Sequence, residues 1–199
     1  MIRLVLVALL WGAVLGCSIL PSSGPVPDLY TLTATPSSGV VAVDWPLAIE
    51  EPVPTGGLGT DRIAVRPSPL ELRYFSKVRW AERVPRMVQT LLIQSFQDSG
   101  AFPAVTRQPI GLHRGHSLRT ELRAFEVEKF AKGQAPLVRV AITAQLVTLP
   151  REEIVATKTW EARRVAQGSE MVAVVAAFDD ATDAVVAEML TWVAGQKLP

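Results

Sequence analysis

The sequence predicts an α+β domain in which two helices pack on one face of a mostly antiparallel sheet. Most candidate strands alternate apolar and polar side chains, which is typical of strands with one buried face. Two longer segments carry apolar residues at spacings of three and four, so each has a single apolar stripe. The elements follow one another as strands, helix, strands, helix, an order that favours a two-layer domain.

The part of the domain before the first helix is predicted to consist of strands and turns. The turn sequences Pro36-Ser37-Ser38-Gly39 and Pro67-Ser68-Pro69 each separate two runs that are rich in β-formers. Between these two pairs lies the segment 52–60, PVPTGGLGT, for which we predict a glycine-rich loop. The predicted strands are 29–34, 40–49, 62–66 and 70–75.

Two helices and four further strands complete the predicted domain. Pro85 fits a helix only in its first turn, so the first helix is expected to begin between Ala81 and Val84 and to end before Gly100. The second helix is predicted over about 170–194. A change of phase near Ala124-Phe125 predicts a β-bulge. The predicted strands are 105–108, 118–130, 138–146 and 154–163.

The amino terminus has the layout of a signal peptide. A single cation, Arg3, precedes the unbroken apolar run Leu4–Leu10. The longer apolar stretch 4–20 is interrupted and shorter than the ~20 residues of a membrane-spanning helix. Val14-Leu15-Gly16-Cys17 resembles a bacterial lipobox, in which the cysteine thiol receives a diacylglyceryl group and becomes the first residue after cleavage. The alternatives are a plain secretion signal that happens to contain a cysteine, an uncleaved membrane anchor, and a buried core cysteine.

The chain is therefore predicted to have three parts. Residues 1–16 form a lipoprotein signal peptide, residues 17–27 the lipidated Cys17 with a flexible tether rich in Ser, Pro and Gly, and residues 28–199 the folded domain. Serine, not aspartate, follows Cys17, which in proteobacterial lipoproteins indicates sorting to the outer membrane.

Composition and motifs exclude several functional classes. The formal net charge is only +1, which does not indicate a nucleic-acid-binding protein. His113 and His116 are the only histidines, and no third metal ligand is evident, so we expect them to be exposed loop residues. Ser117 follows His116, but no nucleophile-elbow motif surrounds it. We therefore predict no catalytic residue, no metal and no cofactor.

One cluster of side chains is a candidate site. Asp61, Arg62, Tyr74, Arg79 and Trp80 lie at the ends of the predicted hairpin strands. They can form a structural lock, in which an aspartate–arginine pair fixes the hairpin and the Trp80 ring is buried with its N–H satisfied. They can also form a partner-binding patch, because Trp, Tyr and Arg dominate interface hot spots.

Four sequence blocks together resemble the ABC-type transport auxiliary lipoprotein family, the PqiC-like lipoproteins of MCE (mammalian cell entry) transport systems. The resemblance covers about residues 28–194. The blocks are LYTL at 29–32, TDRIAVR at 60–66, LRYF with RWAERVPRMVQTLL within 72–92, and AVVAAFDDATDAVVAEMLTWV at 173–193.

The resemblance implies a protein that catalyses no reaction. It implies a domain on the periplasmic face of the outer membrane of a Gram-negative bacterium, anchored through Cys17. Its partners are an MCE-domain protein and an ABC permease with its ATPase, which move lipids or other hydrophobic compounds, and the domain docks this machinery. Some relatives assemble into rings, so a homo-oligomer is possible. The alternatives are a structural envelope lipoprotein without a transport role and, less favoured, a periplasmic lipoprotein hydrolase using Ser117 and His116.

Overall fold

The computed structural model describes residues 26–35, 39–109, 115–129 and 133–196, and these form nine strands and two helices. The helices are α1 (Val84–Asp98) and α2 (Met171–Ala194). The strands are β1 (Asp28–Tyr30), β2 (Leu47–Ile49), β3 (Val53–Pro54), β4 (Arg62–Ser68), β5 (Glu71–Trp80), β6 (Val105–Thr106), β7 (Gly115–Lys129), β8 (Leu137–Leu149) and β9 (Ile154–Val165). None of the helices in these ranges is long and apolar enough to cross a membrane.

Strand β7 is the centre of the sheet. Along one edge it pairs with β8, which in turn pairs with β9, and both pairings are antiparallel. Along its other edge β7 is met in succession by β2, β3 and β4, all parallel to it. Strand β5 pairs antiparallel with β4, and the short strands β1 and β6 add parallel edges. The longest ladders are antiparallel, so the predicted fold class is confirmed.

Alternation of side chains decides which face of the sheet is covered. In β8, Val140 and Ile142 are fully buried under the helices, whereas Thr143 and Gln145 on the opposite face are only partly buried. The ladder between β7 and β8 shifts register between Leu122 and Ala124. The predicted bulge is thereby confirmed. It keeps the apolar side chains of both halves of β7 on the helical face.

Both helices lie on this one face. Helix α1 begins at Val84 with Pro85 in its first turn, as predicted, and it packs on β2 and β6. Helix α2 packs on β8 and β9 and also touches α1. At the centre of the core, the rings of Trp80 and Phe125 lie 5.2 Å and 4.9 Å from the ring of Phe178, measured between centroids. The aromatic cluster ties β5 and β7 to α2.

Several predicted strand boundaries are wrong. Strand β1 ends at Tyr30 instead of Ala34, because the following residues hydrogen-bond to α2 and not to a strand. Residues 40–46 form no strand, and Val43 donates its N–H to the carbonyl of Ala101 beyond α1 at 2.8 Å. The predicted 52–60 loop contains β3, and the hairpin strands extend to Ser68 and Trp80.

Candidate functional site

The amino-terminal residues 28–35, which we call the strap, are fixed to the rest of the domain. Strand β1 pairs with the end of β5, and the carbonyl of Tyr30 accepts a hydrogen bond from the N–H of Ala81 at 2.7 Å. The side chain of Leu32 is buried in the core. Thr33 then donates its backbone N–H to Oδ1 of Asp179 at 2.8 Å and its hydroxyl to Oδ2 at 2.7 Å. The strap therefore spans from the sheet edge to α2.

A second carboxylate of α2 completes this contact. The hydroxyl of Thr35 donates to Oδ2 of Asp183, one helical turn beyond Asp179. Burial raises the pKa of Asp183, the hydrogen bond from Thr35 partly offsets that rise, and the neighbouring Asp179 adds to it. Asp179 lies inside α2, beyond its first turn, and its carboxylate holds the strap.

The polar members of the predicted cluster meet at the base of the β4–β5 hairpin. The guanidinium Nη1 of Arg79 lies 3.0 Å from Oδ1 and 3.2 Å from Oδ2 of Asp61. The carbonyl of Asp61 also accepts the backbone N–H of Trp80 at 2.7 Å. Both members of the ion pair are about 40% exposed, so the pair contributes at most about 1 kcal/mol to folding.

Arg62 and Tyr74 form the second contact at the hairpin base. The guanidinium carbon of Arg62 lies 4.1 Å from the centroid of the Tyr74 ring, a cation–π arrangement. The Tyr74 hydroxyl donates to the carbonyl of Gly57 at 2.9 Å. Gly57 has φ +87°, and a Cβ there would lie 2.9 Å from the Tyr74 hydroxyl oxygen. Only glycine permits this close approach.

Trp80 is buried, whereas the other four members of the cluster are partly or fully exposed. Its side chain is 1% exposed and packs edge-on against Phe125 and Phe178. The expectation that its indole N–H is satisfied is wrong, since Nε1 has no acceptor among the described residues. The rings of Phe125 and Phe178, against which it packs, supply none. Trp80 is thus a core residue, whereas partner binding by the other four side chains stays a prediction.

The sheet face opposite the helices is polar, and a buried carboxylate lies on it. Glu126 of β7 has only 2% of its side chain exposed. Its two carboxylate oxygens accept hydrogen bonds from Nε and Nη2 of Arg66, at 2.5 Å and 2.9 Å. This hydrogen-bonded pairing raises the pKa of Arg66. A bidentate pair of this geometry fixes the hairpin against the central strand.

Further ion pairs extend across β7, β8 and β9 on the same face. Arg139 lies 2.7 Å from Glu161, and Arg163 lies 2.9 Å from Glu128 and also contacts Glu161. Threonines and alanines fill the space between these charges. A face of this composition is compatible with water or a polar partner and does not need a second apolar layer.

A groove of about 1280 Å³ lies at the end of the sheet where β7 begins and β8 ends. Trp45, Pro46 and Leu149 supply apolar walls, and His116 lies at its base. The expectation of an exposed loop histidine is wrong for His116, which is in β7 and 8% exposed. Its ring meets Trp45 edge-on at 4.6 Å. Burial lowers the pKa of His116, and its Nδ1 has no partner among the described residues.

Ser117 and His116 cannot act together as a nucleophile and base. Adjacent residues of a strand point to opposite faces, and here the two side chains have different partners, Trp45 for His116 and Glu50 for Ser117. The hydroxyl of Ser117 is fully buried and donates to Oε1 of Glu50 at 2.5 Å. Arg119 binds the same carboxylate oxygen through its Nε at 3.0 Å. Ser117 is thus held in a polar network between β2 and β7.

Cys17 and His113 lie outside the described residues. Within the described ranges, no group of three or more His, Cys, Asp or Glu side chains is placed to hold a metal ion.

Comparisons with known proteins identify relatives over most of the chain. A family model described as the ABC-type transport auxiliary lipoprotein component matches residues 30–190. The uncharacterized protein bll6063 of Bradyrhizobium diazoefficiens is 28% identical over 146 residues, which are 73% of this chain and 38% of that protein. The chain therefore spans well under half the length of this relative.

Solved structures share the fold. The crystal structure of protein XCC0632 from Xanthomonas campestris has 29% sequence identity and a TM-score of 0.75, and the match covers 86% of this chain and 97% of that one. A crystal structure of another uncharacterized protein is 12% identical with a TM-score of 0.67, over 84% of this chain and 99% of the other. The two-layer arrangement of helices on a mixed sheet is thus found in crystallised proteins as well.

Proposed function

The chain belongs to the family of ABC-type transport auxiliary lipoprotein components, and from this premise we propose that it is the docking component of an ABC transporter with an MCE-domain protein. In this proposal Cys17 carries the lipid and residues 17–27 are the tether. The domain stands on the periplasmic face of the outer membrane of a Gram-negative bacterium. It receives the MCE protein, which moves lipids or other hydrophobic compounds, and it catalyses no reaction.

The observation that carries the proposal is the family match over residues 30–190. The geometry of the strap supports it, because Thr33 and Asp179 couple the start of the domain to α2. A pull on the tether would act first on the pairing of β1 with β5 and then on the hydrogen bonds between Thr33 and Asp179. The polar face of the sheet, with its ion pairs, supports a role in contacting another protein.

Crosslinking in the native host tests the proposal. The full-length protein, carrying an affinity tag at its carboxyl terminus, is crosslinked in cells, and captured proteins are identified by mass spectrometry. The Cys17→Ala variant is the matched control, since it keeps the folded domain and loses the proposed anchor. We expect the wild type to capture an MCE-domain protein and the variant to capture much less of it.

A deletion separates this function from the structural alternative. If the protein serves a transporter, its loss changes the lipid distribution or permeability of the outer membrane, and deletion of the captured MCE protein gives the same phenotype. Capture of no transporter subunit, with an unaltered envelope after deletion, favours a structural lipoprotein and contradicts the proposal.

A further inference from the structure

The β4–β5 hairpin concentrates positive charge. Residues 62–80 carry four arginines and one lysine against the single carboxylate of Glu71, a formal charge of +4 in a chain whose total is +1. The rest of the chain is therefore −3. Two hairpin arginines have partners outside it, since Arg66 binds Glu126 and Arg79 binds Asp61. The region is still +2 with both partners included.

The tip of the same hairpin is apolar and fully accessible. Leu70, in the turn between the two strands, is 99% exposed, and Pro67 and Pro69 beside it are exposed as well. Arg73 and Lys77 follow on β5, and both are exposed. The guanidinium of Arg73 also pairs with Glu71, with Nη2 2.5 Å from Oε1, so Lys77 supplies the net positive charge of residues 67–77. One exposed leucine is unremarkable in a soluble domain, but an apolar tip beside cations is the pattern of segments that bind the interface of anionic membranes.

The direction of the chain places this hairpin near the proposed anchor. Strand β1 runs parallel to β5 and pairs only with Val78–Trp80, so the part of β5 nearer the tip is the outer strand of the sheet. Because β1 is parallel to β5, the chain enters the domain from the side of the hairpin tip. The chain before Asp28 therefore joins β1 at the end of that strand that faces the hairpin tip.

The tether is long enough to let the tip touch the membrane. Asp28 lies opposite Val78, eight residues from Leu70, which is about 27 Å along a strand. The eleven residues from Cys17 to Asp28 can span at most about 39 Å when extended. An anchor in the bilayer therefore leaves the hairpin tip within reach of the headgroups.

We propose that the hairpin edge, defined as residues 67–77, is a second membrane contact that docks on anionic phospholipid headgroups, with Leu70 inserted at the interface and Arg73 and Lys77 on the phosphates. The proposal rests on the proposed function only for the position of the lipid at Cys17. The hairpin edge orients the domain, so that the β8–β9 turn at the other end of the sheet points away from the membrane.

The test uses the mature chain, residues 17–199, with Cys17→Ala, so that binding cannot come from a lipid on the protein. Flotation with vesicles of phosphatidylcholine, with and without about one third phosphatidylglycerol, measures the partition coefficient. We expect binding to the anionic vesicles at about 0.01 M ionic strength, where the Debye length is about 30 Å, and its loss at about 1 M. Neutral vesicles are expected to bind little.

Matched substitutions identify the contact surface. The double variant Arg73→Ser with Lys77→Ser is expected to lower the partition coefficient about 30-fold, which corresponds to about 2 kcal/mol at about 1 kcal/mol per cation. The control, Arg123→Ser with Arg151→Ser, removes two exposed cations outside the hairpin edge and is expected to leave the coefficient within about twofold. Equal losses in the two double variants, or no binding to anionic vesicles, overturn the proposal.

A fluorescent label provides a second test, which does not depend on a loss of vesicle binding. Cys17 is the only cysteine, so in the Cys17→Ala background a single Leu70→Cys substitution can carry an environment-sensitive nitrobenzoxadiazole label. We expect its emission to shift to the blue with anionic vesicles, while the same label at Arg151→Cys stays unchanged. A blue shift at neither position, or at Arg151→Cys alone, contradicts the inference. Whether Cys17 is acylated in cells is a separate measurement, so failure of the hairpin contact and failure of the anchor are distinguishable.

Discussion

Replacing Asp179 with alanine is expected to release the strap from α2. The carboxylate accepts both the N–H and the hydroxyl of Thr33, at 2.8 Å and 2.7 Å. Hydrogen bonds to a charged group stabilise by about 1.5–3 kcal/mol each when buried. These two are solvent-exposed. We therefore expect a combined loss of about 1–2 kcal/mol, well below the buried figure for two such bonds.

Hydrogen exchange at the Thr33 amide reports this loss directly. A loss of about 1.4 kcal/mol corresponds to a tenfold change in an equilibrium constant. The Thr33 N–H is thus expected to exchange about tenfold faster in Asp179→Ala than in the wild type, with a smaller effect on core amides. Heteronuclear NMR at constant pH measures both rates in one experiment.

Asp180 is the matched control, because it is the next residue in α2 and its side chain is exposed. Asp180→Ala removes the same charge from the same helix without removing an acceptor of Thr33. If the Thr33 amide exchanges at the same rate in Asp179→Ala and Asp180→Ala, the strap is not held by this carboxylate and the reasoning is refuted.

Three further predictions concern charged and titrating groups. Arg66→Ala is expected to lower the free energy of unfolding, measured in urea, by about 3 kcal/mol, because it leaves the buried carboxylate of Glu126 without its partner. Glu126→Ala is expected to lower it by less, since the Arg66 side chain can turn to water. A larger loss in Glu126→Ala than in Arg66→Ala would contradict this prediction. Burial raises the pKa of Asp183 above 3.8, so the charged form is disfavoured in the folded state. Asp183→Asn is therefore expected to stabilise the protein at neutral pH and to lose this advantage as the pH falls toward 3.8. A difference in unfolding free energy between variant and wild type that stays constant across this pH range contradicts the prediction. Burial lowers the pKa of His116 below 6.5, so the stability gained from its neutral form is present above pH 6.5 and is lost as the pH falls toward the lowered pKa. The melting temperature of the wild type is expected to fall over this pH range, and that of His116→Phe to fall less.

The sequence predicted those features of the fold that depend on local periodicity. Both helices carry a stripe of period 3.6, and Pro85 limits where α1 can begin. The alternation of apolar and polar residues along β7 changes phase at Ala124-Phe125, so the bulge could be located from the sequence to within about two residues.

Features that depend on contacts between distant residues could not be predicted. The second edge of β7 is filled by three short parallel strands, and strands of two or three residues such as β3 have too little sequence to show a period. Residues 40–46 look like a strand, yet their backbone is held by the segment after α1. Tertiary contact overrides β-propensity there.

The same limit applies to the functional residues. Thr33 meets Asp179 across 146 positions, and Ser117 meets Glu50 across 67. No local motif marks either pair. The hairpin base, by contrast, could be predicted, because Asp61 and Arg79 lie at the two ends of one hairpin.

Intact mass spectrometry of the protein extracted from membranes tests the central claim most directly. We expect the mature chain to begin at Cys17 and to carry acyl groups on that residue. We expect Cys17→Ala to abolish both the modification and the membrane association that it confers. A mature chain that is unmodified at Cys17 and recovered in the soluble fraction would contradict the lipid anchor and, with it, the proposed place of the domain in the transporter.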